Sequence, residues 1–208
     1  EILPHLNHPN FGYGVTAEDL ASVLDELFFE IHNGHPGVNQ LGDDTHPSVE
    51  KIWDIANSIR LLHLASPPLM GIATDDSHAY HGKPGAHTGR GWVQVRSRYL
   101  TPEHLIRSMK KGDFYASSGV SIREVQFDAT QGELSVAIDG IQGETYQTEF
   151  VASLRPSKSD GNSDKTAELA DRALDPKLVG VVVSKVDGIR ATYKLTGREL
   201  YVRAIVTS

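Results

Sequence analysis

Residues 71–78 read Gly-Ile-Ala-Thr-Asp-Asp-Ser-His, an apolar run that ends in two carboxylates and an imidazole. Leu69, Met70, Ile72 and Ala73, placed around Gly71, predict a buried parallel strand. An unpaired carboxylate at the edge of a core is costly, so a buried strand that ends on charge needs a reason for it. Asp76 and His78 stand two residues apart, and at a strand end both side chains then point the same way. One oxygen donor and one nitrogen donor aimed into a single hollow suit a divalent transition metal. The competing reading of this stretch by itself is a surface turn of solvated polar residues.

The elements that must position such a pair follow from the surrounding pattern. Pro9, Gly12 and Gly14 force a loop after His8. Thr16 predicts a helix cap, with Leu20, Val23, Leu24 and Leu27 at helical spacing behind it. Residues 28–32 predict a short strand closed by Asn33-Gly34, and residues 35–47 are irregular. A helix is expected over 48–63, then the strand that ends at Asp76, a polar loop over 79–91, and a strand over 92–98. Thr101-Pro102-Glu103 starts a further helix that stops at Gly112. This alternation predicts a parallel α/β arrangement up to about residue 118. From there the pattern changes to β-rich runs at 120–127, 133–138, 145–154, 178–186, 191–195 and 200–206, the spacing of an antiparallel sandwich or small barrel. Residues 157–164 are polar and read as a mobile loop.

Loops after parallel strands are where α/β sites form. Here they gather His8, Glu30, His32, Asn33, His35, Asp76, His78, His81, His87 and Arg90. His63 and His104 fall on helices and read as surface or core-edge groups, and His5 and His46 read as structural. All ten histidines lie between His5 and His104. Residues 1–104 carry six Lys and Arg against thirteen Asp and Glu, whereas the remainder carries fourteen of each. An acidic, histidine-rich half favours cations and argues against a nucleic-acid partner. The absence of cysteine excludes disulfides and thiolate ligands. No run approaches the roughly eighteen apolar residues of a bilayer-spanning helix, so no membrane partner is expected.

Four segments then occur in order: His8-Pro9-Asn10, Phe29-Glu30-Ile31-His32-Asn33-Gly34-His35, Ala73-Thr74-Asp75-Asp76-Ser77-His78 and Gly112-Asp113-Phe114-Tyr115-Ala116-Ser117-Ser118-Gly119. The set resembles the carboxyl-terminal part of PHP-domain proteins, the polymerase and histidinol phosphatase superfamily of metal-dependent hydrolases. It is most similar to secreted or periplasmic-type members in which a β-sandwich follows the PHP barrel. The resemblance implies an α/β fold: the C-terminal portion of a distorted β/α barrel over residues 1–119, then an all-β sandwich-like domain over 120–208. It implies that His8 joins Asp76 and His78 as a metal ligand, for zinc, manganese or iron, and places Glu30 and Asn33 near the site. Asn33, His35 and Arg90 are assigned to substrate, Arg90 because a guanidinium fork fits phosphate oxygens, with a plain surface arginine as its alternative. No catalytic acid or base is singled out.

The reaction implied is hydrolysis of a small-molecule phosphoester by metal-activated water. The alternatives are an amide or carbamate hydrolase and a non-catalytic carbohydrate- or protein-binding module on a degenerate PHP scaffold. The family's opening His-x-His motif, and the histidine and glutamate after it, have no counterpart here. The resemblance therefore implies a barrel cut before Glu1, with Phe28, Phe29, Ile31, Leu69 and Ile72 facing water. The expected partner is a missing N-terminal segment or a second copy of the chain.

Overall fold

In a computed structural model of the protein, residues 2–79, 81–156 and 174–208 are described, and the polar stretch 157–164 lies outside them. The chain divides into two compact units, Glu1–Gly119 and Val120–Ser208.

The first unit opens with a tight 3-10 turn, Phe11–Tyr13, and helix α1, Ala17–Ser22. Thr16 caps α1 through a reciprocal box: its Oγ accepts from the Asp19 N–H, and the Asp19 carboxylate accepts from the Thr16 N–H, both at 3.1 Å. Strand β1, Phe28–Asn33, pairs in parallel with β2, Met70–Thr74, and α2, Val49–Ile59, crosses between them. Ser48 caps α2, and Val49, Ile52, Ala56 and Ile59 bury one stripe at helical spacing. Buried Asn57 fixes where β2 begins: its Oδ1 accepts from the Leu69 N–H at 2.7 Å, while Trp53 Nε1 donates to the Leu69 carbonyl at 2.8 Å. Strand β3, Trp92–Val95, and β4, Phe114–Ser117, form a separate antiparallel pair, with α3, Pro102–Lys110, between them in the chain.

The α/β barrel portion expected from the sequence is not what forms. The described chain is β-rich, its sheets are small, and none closes. Among the named strands of the described residues only β1 and β2 pair in parallel, with the crossover helix α2 packed on β1, and Leu6 adds an isolated parallel bridge to Phe29. Alternating strand and helix does not fix strand direction. After α3 the chain reverses at Gly112, which has φ +77°, and β4 runs antiparallel to β3. The void expected at a cut edge is absent as well. Phe28, Phe29, Leu69 and Ile72 are buried and Ile31 half-buried, with Phe29 against Trp53 and Phe28 against Phe114, ring centroids 6.1 Å apart in each case. The apolar surface that motivated a covering partner is therefore already covered within the unit.

The helix expected to run through Leu27 stops at Ser22, and the one expected to reach His63 ends in a π-turn, Arg60–Leu64. Arg60 connects the two departures. It is fully buried, and its guanidinium donates to the carbonyls of Pro67, Val23, Glu26 and Leu24 and to Ser66 Oγ, at 2.8–3.3 Å. Carbonyls that would continue α1 are turned to this cation instead. Burial pushes the Arg60 pKa down, yet five acceptors in a fork pattern keep the group satisfied.

Among its described residues the second unit holds two three-stranded antiparallel sheets. One has the order β5 (Ile122–Asp128), β6 (Glu133–Ile138), β9 (Arg190–Lys194), and the other β10 (Glu199–Thr207), β7 (Gln147–Leu154), β8 (Val181–Asp187). Val136 and Ala191 from the first sheet and Phe150 from the second share one core, with Leu134, Val183, Tyr193, Val202 and Val206 against it. The turn between β9 and β10 is held by Glu199, which accepts from the Tyr193 hydroxyl at 2.6 Å and from the Thr196 and Gly197 N–H groups. Among the described residues no helix is long and apolar enough to cross a membrane.

Two outcomes are expected. Arg60→Met and Arg60→Lys each leave buried carbonyls unpaired, and chemical denaturation of the chain is expected to show a loss of at least about 3 kcal/mol. An Arg60→Lys protein as stable as wild type contradicts the fork argument. For Glu199, partial burial raises the pKa, but the bonds from Tyr193 and Thr196 outweigh it and hold the group at about 2, against an ordinary 4.5. Burial and the same bond push Tyr193 up to about 12. A carboxyl depressed in the fold stabilises fully above its ordinary value and loses that contribution as pH falls through its folded value. The stability difference between wild type and Glu199→Gln should be constant from pH 5 to 8 and shrink between about 4.5 and 2. On the alkaline side the neutral phenol is favoured, so Tyr193's contribution holds below about 10 and is lost as pH rises through about 12.

Candidate metal and anion site

Parallel pairing places the C-terminal ends of β1 and β2 side by side, with Asn33 opposite Thr74. The Gly34 N–H extends the ladder to the Thr74 carbonyl at 2.9 Å. A bulge interrupts the register between Glu30 and His32, and the Ile31 carbonyl it frees accepts from the Gln40 side-chain amide. The irregular loop over 35–47 is thereby tied to the end of β1.

Glu30 is the buried charge of this region, only 3% exposed. Its Oε2 accepts from the His8 N–H at 2.6 Å and from Asn33 Nδ2 at 2.8 Å, and its Oε1 accepts from the Thr74 hydroxyl. Asn33 Nδ2 also donates to Asp76 Oδ2 at 3.2 Å, and Asn33 Oδ1 accepts from the His35 N–H at 2.8 Å. One buried amide therefore links the Glu30 carboxylate, the Asp76 carboxylate and the backbone carrying His35.

Asp76 and His78 meet, although the pleat of a strand does not bring them together. Strand β2 ends at Thr74, and Asp76 sits in the left-handed region at φ +46°. The turn it makes brings His78 Nδ1 to the Asp76 carbonyl at 2.8 Å and to Asp76 Oδ1 at 3.5 Å. His8 also has a positive φ, +25°, and backbone strain of this kind collects at functional sites. Its main chain joins the network through Glu30, and its ring lies against Phe11 with centroids 5.3 Å apart. Among the described residues, no three His, Asp or Glu side chains stand together as a metal-binding group. The structure thus unites Asp76 with His78 and connects His8 to them by its backbone alone.

His35 stands edge-on to His78, ring centroids 5.4 Å apart. The two rings are held in opposite tautomers. His78 Nδ1 faces a carbonyl and must donate, which leaves the lone pair on Nε2. His35 Nδ1 accepts from the Gly37 N–H at 3.0 Å, so its neutral ring carries the proton on Nε2. Arg90 is exposed beside them, with Nη1 donating to the Gly34 carbonyl at 3.2 Å. Its backbone is fixed by Asp75, whose Oδ1 accepts from the Arg90 and Gly91 N–H groups at 2.6 and 2.9 Å. The Gly91 bond is the chief cause that holds the Asp75 carboxyl below its ordinary range, with those of Arg90 and Gly89 adding to it. Close approach here requires glycine: a Cβ on Gly34 would lie 2.6 Å from Arg90 Cβ, and one on Gly91 2.4 Å from the Thr74 carbonyl oxygen.

The positioning roles of Thr74, Asp75 and Gln40 escaped the reading of the sequence. An apolar run followed by Thr-Asp-Asp shows that polar groups end the strand, not which of them turns back to hold the loops. His81 and His87 lie exposed on the loop between β2 and β3. His46 stacks on Tyr13 at 3.7 Å and bonds to Asp43, His104 bonds to Thr101, and both fit structural roles. No protein-family model matches the chain, and neither does a curated protein or a solved structure.

If Glu30 organises this network, removing its charge at nearly constant shape should be costly. Glu30→Gln sets an NH2 group against donors already aimed at the carboxylate. Thermal and urea unfolding are expected to show a loss of about 2–3 kcal/mol, with the amide resonance of Asn33 displaced in NMR spectra. An unchanged Asn33 environment would count against the network.

Proposed function

We propose that the first unit is a metal-dependent hydrolase of phosphoester type, with Asp76 and His78 as its ligands. What supports this reading most is the tautomer of His78. Ligand histidines commonly donate their second ring nitrogen to a carbonyl or carboxylate, which fixes the ring and raises the basicity of the other nitrogen. His78 does so through Nδ1, leaving Nε2 as donor atom on a side chain 67% exposed. Asp76 is oriented by Asn33, the outer-sphere support that ligand carboxylates usually have. An oxygen and imidazole set suits zinc, manganese or iron. Glu30 spends its oxygens on His8, Asn33 and Thr74, which fits support and not ligation.

A divalent ion held there supplies Lewis-acid polarisation of a phosphoryl oxygen and lowers the pKa of water. The chain's own contribution to the substrate is donor groups. His35 offers an Nε2–H, Asn33 orients the loop that carries it, and Arg90 offers a guanidinium fork. Donor side chains on neighbouring loops suit an anion with multiple oxygens better than a neutral amide carbonyl, which favours phosphoester over amide or carbamate. A pre-set neutral imidazole donor stabilises charge developing on such oxygens without reorganising.

The test is metal binding by calorimetry together with phosphatase assays. The wild-type chain is expected to bind manganese or zinc stoichiometrically. Asp76→Asn and His78→Gln should each weaken it at least about tenfold, and Asn33→Ala by about ten- to a hundredfold through lost support. His104→Gln, on the remote helix α3, should change nothing. Wild-type metal affinity in Asp76→Asn would refute the ligand assignment.

A further inference from the structure

We infer that Asp75 and His32 are positioning residues that hold Arg90 as a pre-set phosphoryl clamp; the inference rests on the phosphoester reading above. An exposed arginine ordinarily keeps its rotamer freedom in water, and a ligand that uses it must first order a long side chain. Arg90 is exposed, yet its peptide and its head group are both held by the ends of β1 and β2. Its N–H donates to Asp75 Oδ1 at 2.6 Å, and its carbonyl meets His32 Nε2 at 3.0 Å, where the ring must donate. Its Nη1 donates to the Gly34 carbonyl at 3.2 Å. These segments pack without slack, since a Cβ on Gly34 would lie 2.6 Å from Arg90 Cβ and 2.8 Å from the Asp75 carbonyl oxygen.

Asp75 acts by filling a nest of main-chain donors. Gly89 has a left-handed φ of +83°, and the N–H groups of Gly89, Arg90 and Gly91 all turn to the Asp75 carboxylate. Concavities of this kind bind anions, and here the chain's own carboxylate is the anion. The N–H groups of 89–91 are therefore occupied, and what the segment still offers a ligand is the guanidinium, with Nε and Nη2 beyond the bond to Gly34. Gly34 leads directly into His35, whose Nε2–H is the other donor offered to substrate, and Asp75 leads directly into Asp76. The clasp thus ties both substrate donors to the strand end that carries the proposed ligands. A guanidinium ordered in advance loses less freedom on binding, so its charge-assisted bonds to phosphoryl oxygens translate into affinity.

The test titrates methylphosphonate, whose P–C bond resists hydrolysis, into the manganese-loaded chain by calorimetry. Arg90→Ala should weaken binding by about ten- to a hundredfold. Asp75→Ala should weaken it by about three- to tenfold. Electrostatics alone demands the opposite sign, because removing a carboxylate beside a bound anion tightens binding. Asp75→Asn removes the same charge but keeps an oxygen for the N–H groups of 89–91, and it should recover the loss. The double variant Asp75→Ala/Arg90→Ala should bind no more weakly than Arg90→Ala alone. His32→Ala, which leaves the backbone next to Asp76 untouched, should weaken binding in the same direction, and it decides the matter if Asp75→Ala loses manganese. Wild-type or tighter binding in Arg90→Ala or in a manganese-loaded Asp75→Ala, or an Asp75→Asn as weak as Asp75→Ala, overturns the inference and leaves the phosphoester reading intact. A wild type that takes up no manganese, or takes it up without binding methylphosphonate, overturns that reading and the inference with it.

Discussion

A carboxylate buried at the end of a parallel strand has to be satisfied, and much of the first unit is arranged around that demand at Glu30. Its three donors come from three separate segments: the His8 main chain, Asn33 and Thr74. Each donor brings chemistry with it. His8 arrives with an imidazole and Phe11, Asn33 with a hold on Asp76 and His35, and Thr74 with the strand end that leads into Asp75, Asp76 and His78. Leaving a buried carboxylate without these bonds costs several kcal/mol, enough to hold otherwise irregular loops in one arrangement. The loops need no secondary structure of their own because the charge supplies the constraint.

Arg60 does the complementary job at the other end of the same two strands. It gathers carbonyls from the segment after α1 and the segment before β2, fixing both strands at their N-terminal ends while Glu30 fixes them at their C-terminal ends. Between the two lies the apolar packing of α2 on β1. A two-stranded parallel sheet has little strength alone, and here a buried ion at each end and one helix across it compensate. That division puts the rigid packing in the middle and leaves the C-terminal edge free to carry ligands.

Much of this was legible as local pattern and little of it as architecture. The caps at Thr16 and Thr101, the stripe of α2 and the strands of the second unit follow from periodicity and capping chemistry, which act over a few residues. The barrel did not follow, because alternation of strand and helix leaves strand direction undecided, and the reversal at Gly112 depends on a single left-handed residue. Asp76 and His78 stood out as a pair for the wrong geometric reason: a turn at Asp76 unites them, not the pleat of β2. Glu30 read as a neighbour of the site because nothing local says that its partners lie 22 and 44 residues away. The buried role of Arg60 was hidden for the same reason, since an arginine late in an amphipathic helix ordinarily reads as a solvated end.

Backbone groups, more than neighbouring charges, set the chemical identity of the two histidines at the mouth. A carbonyl facing His78 leaves the lone pair on its far nitrogen, and an amide facing His35 leaves the proton on its far nitrogen. Identical side chains about 5 Å apart are thus given opposite tasks by the turns that carry them, and those turns are held in turn by Asn33. A loop rearrangement that broke either backbone contact would free the ring to exchange tautomers and blur the distinction between the lone-pair nitrogen of one ring and the N–H of the other. The polarity of the site is therefore a property of the loops at the ends of β1 and β2, and the buried Glu30 carboxylate beneath them is what keeps it fixed.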